Sequence, residues 1–229
     1  TACINRIRGL LLEFGVAIAK GVRALELMLD DVLEDACNEM NFLTRIALQR
    51  AQAQWRELDA HVAWCDERIA EHAKNNDAVK RAGELMGIGP IGASAAIATV
   101  GDFKQFKSGA QFGAWLGLVP KQRSSGGKSH LGTITKRGDP YLRTLLVQGA
   151  KSVVNSAHTR SDPISRWVLA LKSRSSWQKA VVALANKNAR ILWAVMTKGE
   201  RFDRRHVSVK PGSPVATATT SSTPPAMAT

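Results

Sequence analysis

From Leu48 onward, Leu48, Ala51, Trp55, Leu58, Val62, Cys65 and Ile69 recur at alternating steps of three and four. That period belongs to an α-helix with one apolar seam and is incompatible with a strand, whose faces repeat every two residues. The flanking Arg50, Arg56, Glu57, Asp66, Glu67, Arg68 and Glu71 keep the other faces in water. A preceding helix from about Val22 to Cys37, with Leu25, Leu29, Val32 and Ala36 on one face, is suited to pair with it. Two arrangements stay open: a helical hairpin inside one bundle, or an intermolecular coiled coil between copies of the chain.

After Asn75 and Asn76 the pattern shifts to shorter elements rich in small residues, which marks a domain boundary. In Leu85-Met86-Gly87-Ile88-Gly89-Pro90, Gly87 is suited to end one helix in the left-handed region while Pro90 occupies the first turn of the next. This reads as a helix-hairpin-helix. Ser108 with Gln111 forms a capping box, Gly117 ends that helix, Asp139-Pro140 starts another, and Gly199 closes an amphipathic helix from about Trp177 to Lys198. Every regular element is expected to be helical. The stretch from Lys210 to Thr229 is Pro, Ser, Thr and Ala, with too little apolar surface to offset its ordering entropy, and is expected to be disordered.

A net charge of +13 and a pI near 10.2 call for a polyanionic partner. No apolar run approaches the roughly 18 residues that span a bilayer, so nucleic acid is favoured over membrane. Cys3, Cys37 and Cys65 are odd in number and far apart, which suits neither a disulfide framework nor a zinc site and fits a reducing cytoplasm. Bacterial cytoplasm, in association with the nucleoid, is the expected location. The chain opens on Thr1 within what reads as a helix already under way, as if cut from something longer.

The positive charge concentrates where chemistry is conceivable. Between Lys104 and Lys151 stand nine Lys or Arg and one acid, Asp139. Within this run, Lys121-Gln122-Arg123-Ser124-Ser125-Gly126-Gly127-Lys128 sets two serines and two glycines among cations. Gly127-Lys128-Ser129 resembles the end of a Walker loop, but the required first glycine falls on Gln122, so nucleotide hydrolysis is rejected. Gly126 and Gly127 leave room for a phosphate to approach Ser124 or Ser125, and Lys121, Arg123, Lys128, Lys136, Arg137 and Arg143 are candidates to stabilise its charge. A second anion contact is the backbone at Gly87 and Gly89 before a helix start. The residues alone are equally compatible with a plain tight turn at the glycines. They are also compatible with serines that only donate hydrogen bonds to phosphate, since no activating base stands beside them.

LMGIGPIGASAAIATVGDFKQF, then FGAWLGLVPKQRSSGGKSHLGTITKRGDPYLRTLLVQGA, then ALANKNARILWAVMTKGERF closely resemble the C-terminal transposase domain of the insertion sequence one-hundred-and-ten family. These are DEDD-type transposases, described as bridge-RNA-guided recombinases. The resemblance extends to about Phe202, and TACINRIRGLLLEFG resembles the last helix of the family's RuvC-like domain. It implies a DNA transposase in which acids of the RuvC-like domain hold Mg2+ and a serine attacks DNA. The family's Ser-Gly step maps that serine onto Ser125, with Ser124 the neighbour to exclude. It further implies DNA as substrate, a structured guide RNA, and a homo-oligomer through the coiled coil. The acid-bearing part would lie before Thr1, so no metal ligand is expected in this chain, and Glu13, Asp30, Asp31, Glu34 and Asp35 are not promoted to that role. The expected fold is all-α: residues 1–20 end a truncated RuvC-like domain, 21–76 form the hairpin or coiled coil, 77–206 form the transposase domain, and 207–229 are a disordered tail. The alternative is a non-catalytic module that binds a nucleic-acid backbone, the remnant of a truncated element.

Overall fold

The computed structural model describes residues 1–125, 127–199 and 201–203. The expected disordered tail and Gly126 lie outside them. The chain divides into two compact units, Thr1–Asn75 and the remainder from Asn76.

The first unit is three helices: α1 Ala2–Glu13, α2 Val22–Glu34 and α3 Phe42–Asn75. They meet in a core of Ile7, Leu11, Leu25, Leu29, Leu33, Met40, Leu48, Ala51 and Trp55. α2 stops at Glu34, short of Cys37, because Asp35 turns the chain and its carboxylate accepts the Cys37 N–H at 2.8 Å. Arg45 then ties the α2–α3 connection by donating to the carbonyls of Leu33 (2.6 Å), Asp35 (2.8 Å) and Met40 (3.3 Å). The seam on α3 divides in two. Leu48, Ala51 and Trp55 are buried within the unit, whereas Leu58, Val62 and Cys65 are exposed.

The second unit contains α4 Asp77–Gly83, α5 Pro90–Val100, α6 Gly109–Trp115, strands β1 Pro120–Ser125 and β2 Lys128–Ile134, then α7 Pro140–Ser156, α8 Pro163–Arg174 and α9 Trp177–Lys198. α9 is its central helix, packed against α4, α6, α7 and α8. Its inward positions alternate leucine and valine with alanine (Ala180, Leu184, Ala185, Ala189, Leu192, Val195), so neighbouring helices approach closely. Asn188, buried on α9, donates its amide to the Met86 carbonyl at 2.8 Å and pins the α4–α5 connection. Phe103, Phe106, Phe112 and Trp115 form an aromatic cluster, and Trp193 Nε1 donates to the carbonyls of Phe103 and Phe106, both at 3.1 Å.

Several helix ends follow the local signals. Pro90 begins α5, Asp139 accepts the N–H groups of Tyr141 and Leu142, and Gly199 stops α9 in the left-handed region. The expectation that Gly87 ends a helix is corrected: α4 already stops at Gly83 with Glu84 as its cap, and Gly87, at φ +85°, belongs to the turn before α5. Ser108 caps α6 by accepting the Gln111 N–H, although Gln111 reaches back to the Lys107 N–H and not to that of Ser108. The expectation of purely helical structure is corrected by β1 and β2. They pair antiparallel in the register Ser125 with Lys128, Ser124 with Ser129, Arg123 with His130 and Gln122 with Leu131. The strands escape an apolar-pattern reading because the ribbon buries almost nothing: Lys121, Gln122, Arg123, Ser125, Lys128, His130 and Leu131 are all exposed.

Candidate nucleic-acid interface

The ribbon is built from its base outward. An isolated two-stranded hairpin is marginal in water, and this one is anchored where α6 ends. Gly117 and Gly138 let the outgoing and returning chains cross. A Cβ on Gly117 would lie 2.1 Å from the Arg137 carbonyl oxygen, and one on Gly138 would lie 1.8 Å from that of Trp115. Thr135 N–H donates to Val119 O at 2.9 Å and Lys136 N–H to Gly117 O at 3.1 Å, extending the ladder into the buried body at Leu116 and Leu118. Lys136 pays for this crossover with a φ of +55°, unusual for a residue with a side chain.

At the other end the pair Ser125–Lys128 closes the ribbon, with Gly127 at φ +75°. Successive side chains of a strand point to opposite faces, and directly paired residues share one. Ser125 therefore shares its face with Lys128, its partner, and with Arg123 and His130, two pairs further down. Position 124 falls outside this set. His130 was not among the sequence-based site residues, because only the register brings it opposite Arg123.

The remaining candidates separate by burial and bonding. Lys121, Arg123, Lys128, Lys136 and Arg137 are exposed, while Arg143 on α7 is half-buried and donates to the Leu116 carbonyl at 3.1 Å, so it also caps the end of α6. Among the described residues, the ion pairs join Arg56 to Asp30, Arg68 to Glu67 and Glu71, and Lys80 to Asp77. None neutralises a cation of the ribbon. Residues 1–75 hold 9 Lys or Arg against 12 Asp or Glu, a net −3, whereas residues 76–229 hold 23 against 7, a net +16.

Gly87 and Gly89 play different parts. A Cβ on Gly87 would sit 2.7 Å from Gly149 O, and one on Gly149 would sit 1.7 Å from Gly87 O, so glycine is required at both for α7 to cross the α4–α5 turn. Packing accounts for Gly87 without any ligand. Gly89 has open space around it and is the N-cap of α5, whose ladder begins with Ala93 N–H on Gly89 O at 2.9 Å. Gly89 lines an open cleft of about 880 Å³ together with Ser152, Arg160 and Ser161 and the acids Glu84 and Asp162.

Among the described residues no group of three or more His, Cys, Asp or Glu is placed to hold a metal ion. Asp30 is engaged by Gln52 at 2.6 Å and by Arg56 at 3.0 Å, and Asp35 accepts the Cys37 N–H. No helix among these residues is long and apolar enough to cross a membrane.

Residues 80–164, which include the ribbon and the α4–α5 turn, match the family model described as Transposase IS116/IS110/IS902 family. The chain is 43% identical over 199 residues to a "Probable family 20 transposase" of Pseudomonas aeruginosa, covering 86% of this chain and 59% of that protein. It is 37% identical over 202 residues to the "Transposase for insertion sequence element IS1111A" of Coxiella burnetii (88% and 56%), and 35% identical over 201 residues to the "Transposase for insertion sequence element IS1328" of Yersinia enterocolitica (87% and 59%). The chain thus spans less than two thirds of the length of these relatives.

Proposed function

We propose that this chain, whose residues 80–164 match the IS116/IS110/IS902 transposase family model, is the DNA-engaging portion of an enzyme that cleaves and rejoins DNA, with Ser125 as the nucleophile. The observation that carries this reading is the ribbon face on which Ser125 stands with Arg123, Lys128 and His130, beside a glycine turn that admits a phosphodiester. The Ser125 Oγ attacks the phosphorus and loses its proton. A serine–phosphate ester forms, one strand oxygen leaves and takes up a proton, and the other strand oxygen stays on phosphorus. The reverse attack by a different strand's hydroxyl restores Ser125 and joins DNA without an external energy source. Arg123 and Lys128 stabilise the charge that accumulates on the phosphoryl oxygens during attack. Lys121, Lys136 and Arg137 hold the backbone on either side, which fixes position without reading sequence.

Magnesium is assigned in this reading to acids of a RuvC-like domain, and choice of site to a structured guide RNA. The α4–α5 segment acts as a helix-hairpin-helix backbone contact through Gly89, and α3 joins two copies as a coiled coil. The test is a covalent protein–DNA adduct on a denaturing gel, made with the complete transposase and magnesium. Ser125→Ala abolishes the adduct and Ser124→Ala retains it; loss only with Ser124→Ala moves the nucleophile to that residue. A second reading, a non-catalytic module that clamps a nucleic-acid backbone, draws on the cleft that Gly89 and Arg160 both line. It requires binding with no adduct from the complete protein.

A further inference from the structure

Away from the ribbon, the second unit has a groove of about 660 Å³ between α8, α9, the first turn of α6 and the segment after α9. Its volume suits a nucleotide-sized ligand. Trp167 and Phe202, both half-buried, supply aromatic surface, and Lys187, Arg190, Lys198 and Arg201 supply charge. Lys187 Nζ lies 4.6 Å from the centre of the Trp167 ring. Its ammonium is held below the usual lysine pKa, first by burial and then by the neighbouring Arg190 charge. Two cations one helical turn apart, one of them half-buried, make a site that an incoming anion relieves. The ion pairs given for the described residues engage Arg56, Arg68 and Lys80. Asp203 is the acid that also lines the groove, and it is engaged. The main chain beside it is tethered, since Phe202 N–H donates to Glu84 Oε2 at 3.3 Å.

We propose that this groove binds an unpaired nucleotide of a DNA strand, its phosphate between Lys187 and Arg190 and its base on Trp167. In the free protein Lys187 covers the ring. A phosphate draws the ammonium away and opens the indole face for stacking, which tolerates any base. DNA is the occupant because of α6: its first turn borders the groove, and its last turn leads into the crossed glycines of the ribbon, about 10 Å away along seven residues. A strand whose duplex is engaged at the ribbon can thus lay an unpaired nucleotide in the groove. The inference rests on the DNA reading above, but not on Ser125 being the nucleophile.

The test uses the full chain with (dT)12, (rU)12 and a duplex of mixed sequence as probes. K187Q/R190Q weakens (dT)12 binding about tenfold and makes its log–log salt dependence shallower by about one to two, while duplex affinity is kept. Independently, (dT)12 changes the tryptophan fluorescence of the parent protein and the change vanishes in Trp167→Leu, an arm that keeps the test available should the double variant fail to fold. Unchanged (dT)12 affinity in a folded double variant, a fluorescence change that persists without Trp167, loss confined to (rU)12, or equal loss on duplex would each overturn the proposal. An adduct that survives Ser125→Ala would instead overturn the catalytic assignment and leave the groove standing.

Discussion

At the scale of single residues, glycines and caps carry more of this molecule than the charged groups do. Gly149 has an ordinary helical place on α7, yet its hydrogen faces the Gly87 carbonyl. Gly149→Ala forces α7 off the α4–α5 turn, an overpacking cost of about 1–3 kcal/mol. It is expected to lower the urea midpoint with the slope unchanged. Asp162 caps α8 through bonds from Ser165, the N–H at 2.9 Å and the hydroxyl at 2.7 Å. Burial alone would raise its pKa, but the Ser165 bonds and adjacent backbone donors together outweigh burial and lower it. A carboxyl depressed by folding stabilises fully above its unfolded pKa, about 4, and loses that contribution as pH falls through the lower folded value. Melting of the parent and of Asp162→Asn across pH 6 to 2.5 should therefore show the parent's advantage shrinking only below about pH 4. An advantage constant with pH would dissociate the cap from its charge.

At the scale of elements, the ribbon and the long helix show opposite relations to pattern. α9 runs from Trp177 to Lys198 as its amphipathic period predicts, because its apolar positions are its buried ones. The ribbon has no such correspondence, and its only local signal is Gly126-Gly127 as a two-residue hairpin loop. Conformation alone is at stake at Gly127, where a Cβ would meet nothing within 4 Å but φ is +75°. Gly127→Val is thus expected to leave far-UV circular dichroism and the melting temperature of the helical body nearly unchanged while adduct yield falls at least tenfold. Full adduct yield in that variant would show that the turn is dispensable to the reaction. The face shared by Ser125, Arg123, Lys128 and His130 also belongs to this scale, since it exists only once the strands are in register.

At the scale of the whole chain, charge is segregated: residues 76–229 carry a net +16, and the helical unit of residues 1–75 is slightly acidic. The acidic unit exposes half of its apolar seam, with Leu58 47% and Val62 59% accessible on a helix of 34 residues. If that half-seam joins two copies, Leu58→Lys with Val62→Lys should halve the mass seen by light scattering without loss of helicity. An unchanged mass would remove the coiled coil from the proposal. By itself, the sequence determined the helical character, the stop at Gly199, the starts at Pro90 and Asp139, and the basic stretch with its serines, because each is a property of neighbours within about one helical turn. The tertiary structure alone decided the ribbon, the packing role of Gly87, the capping of α6 by Arg143 and the Trp167–Lys187–Arg190 groove. Each of these depends on groups far apart along the chain, or on pairing between strands that no hydrophobic period marks. A local pattern records which faces are apolar, but not which distant backbone will lie against them.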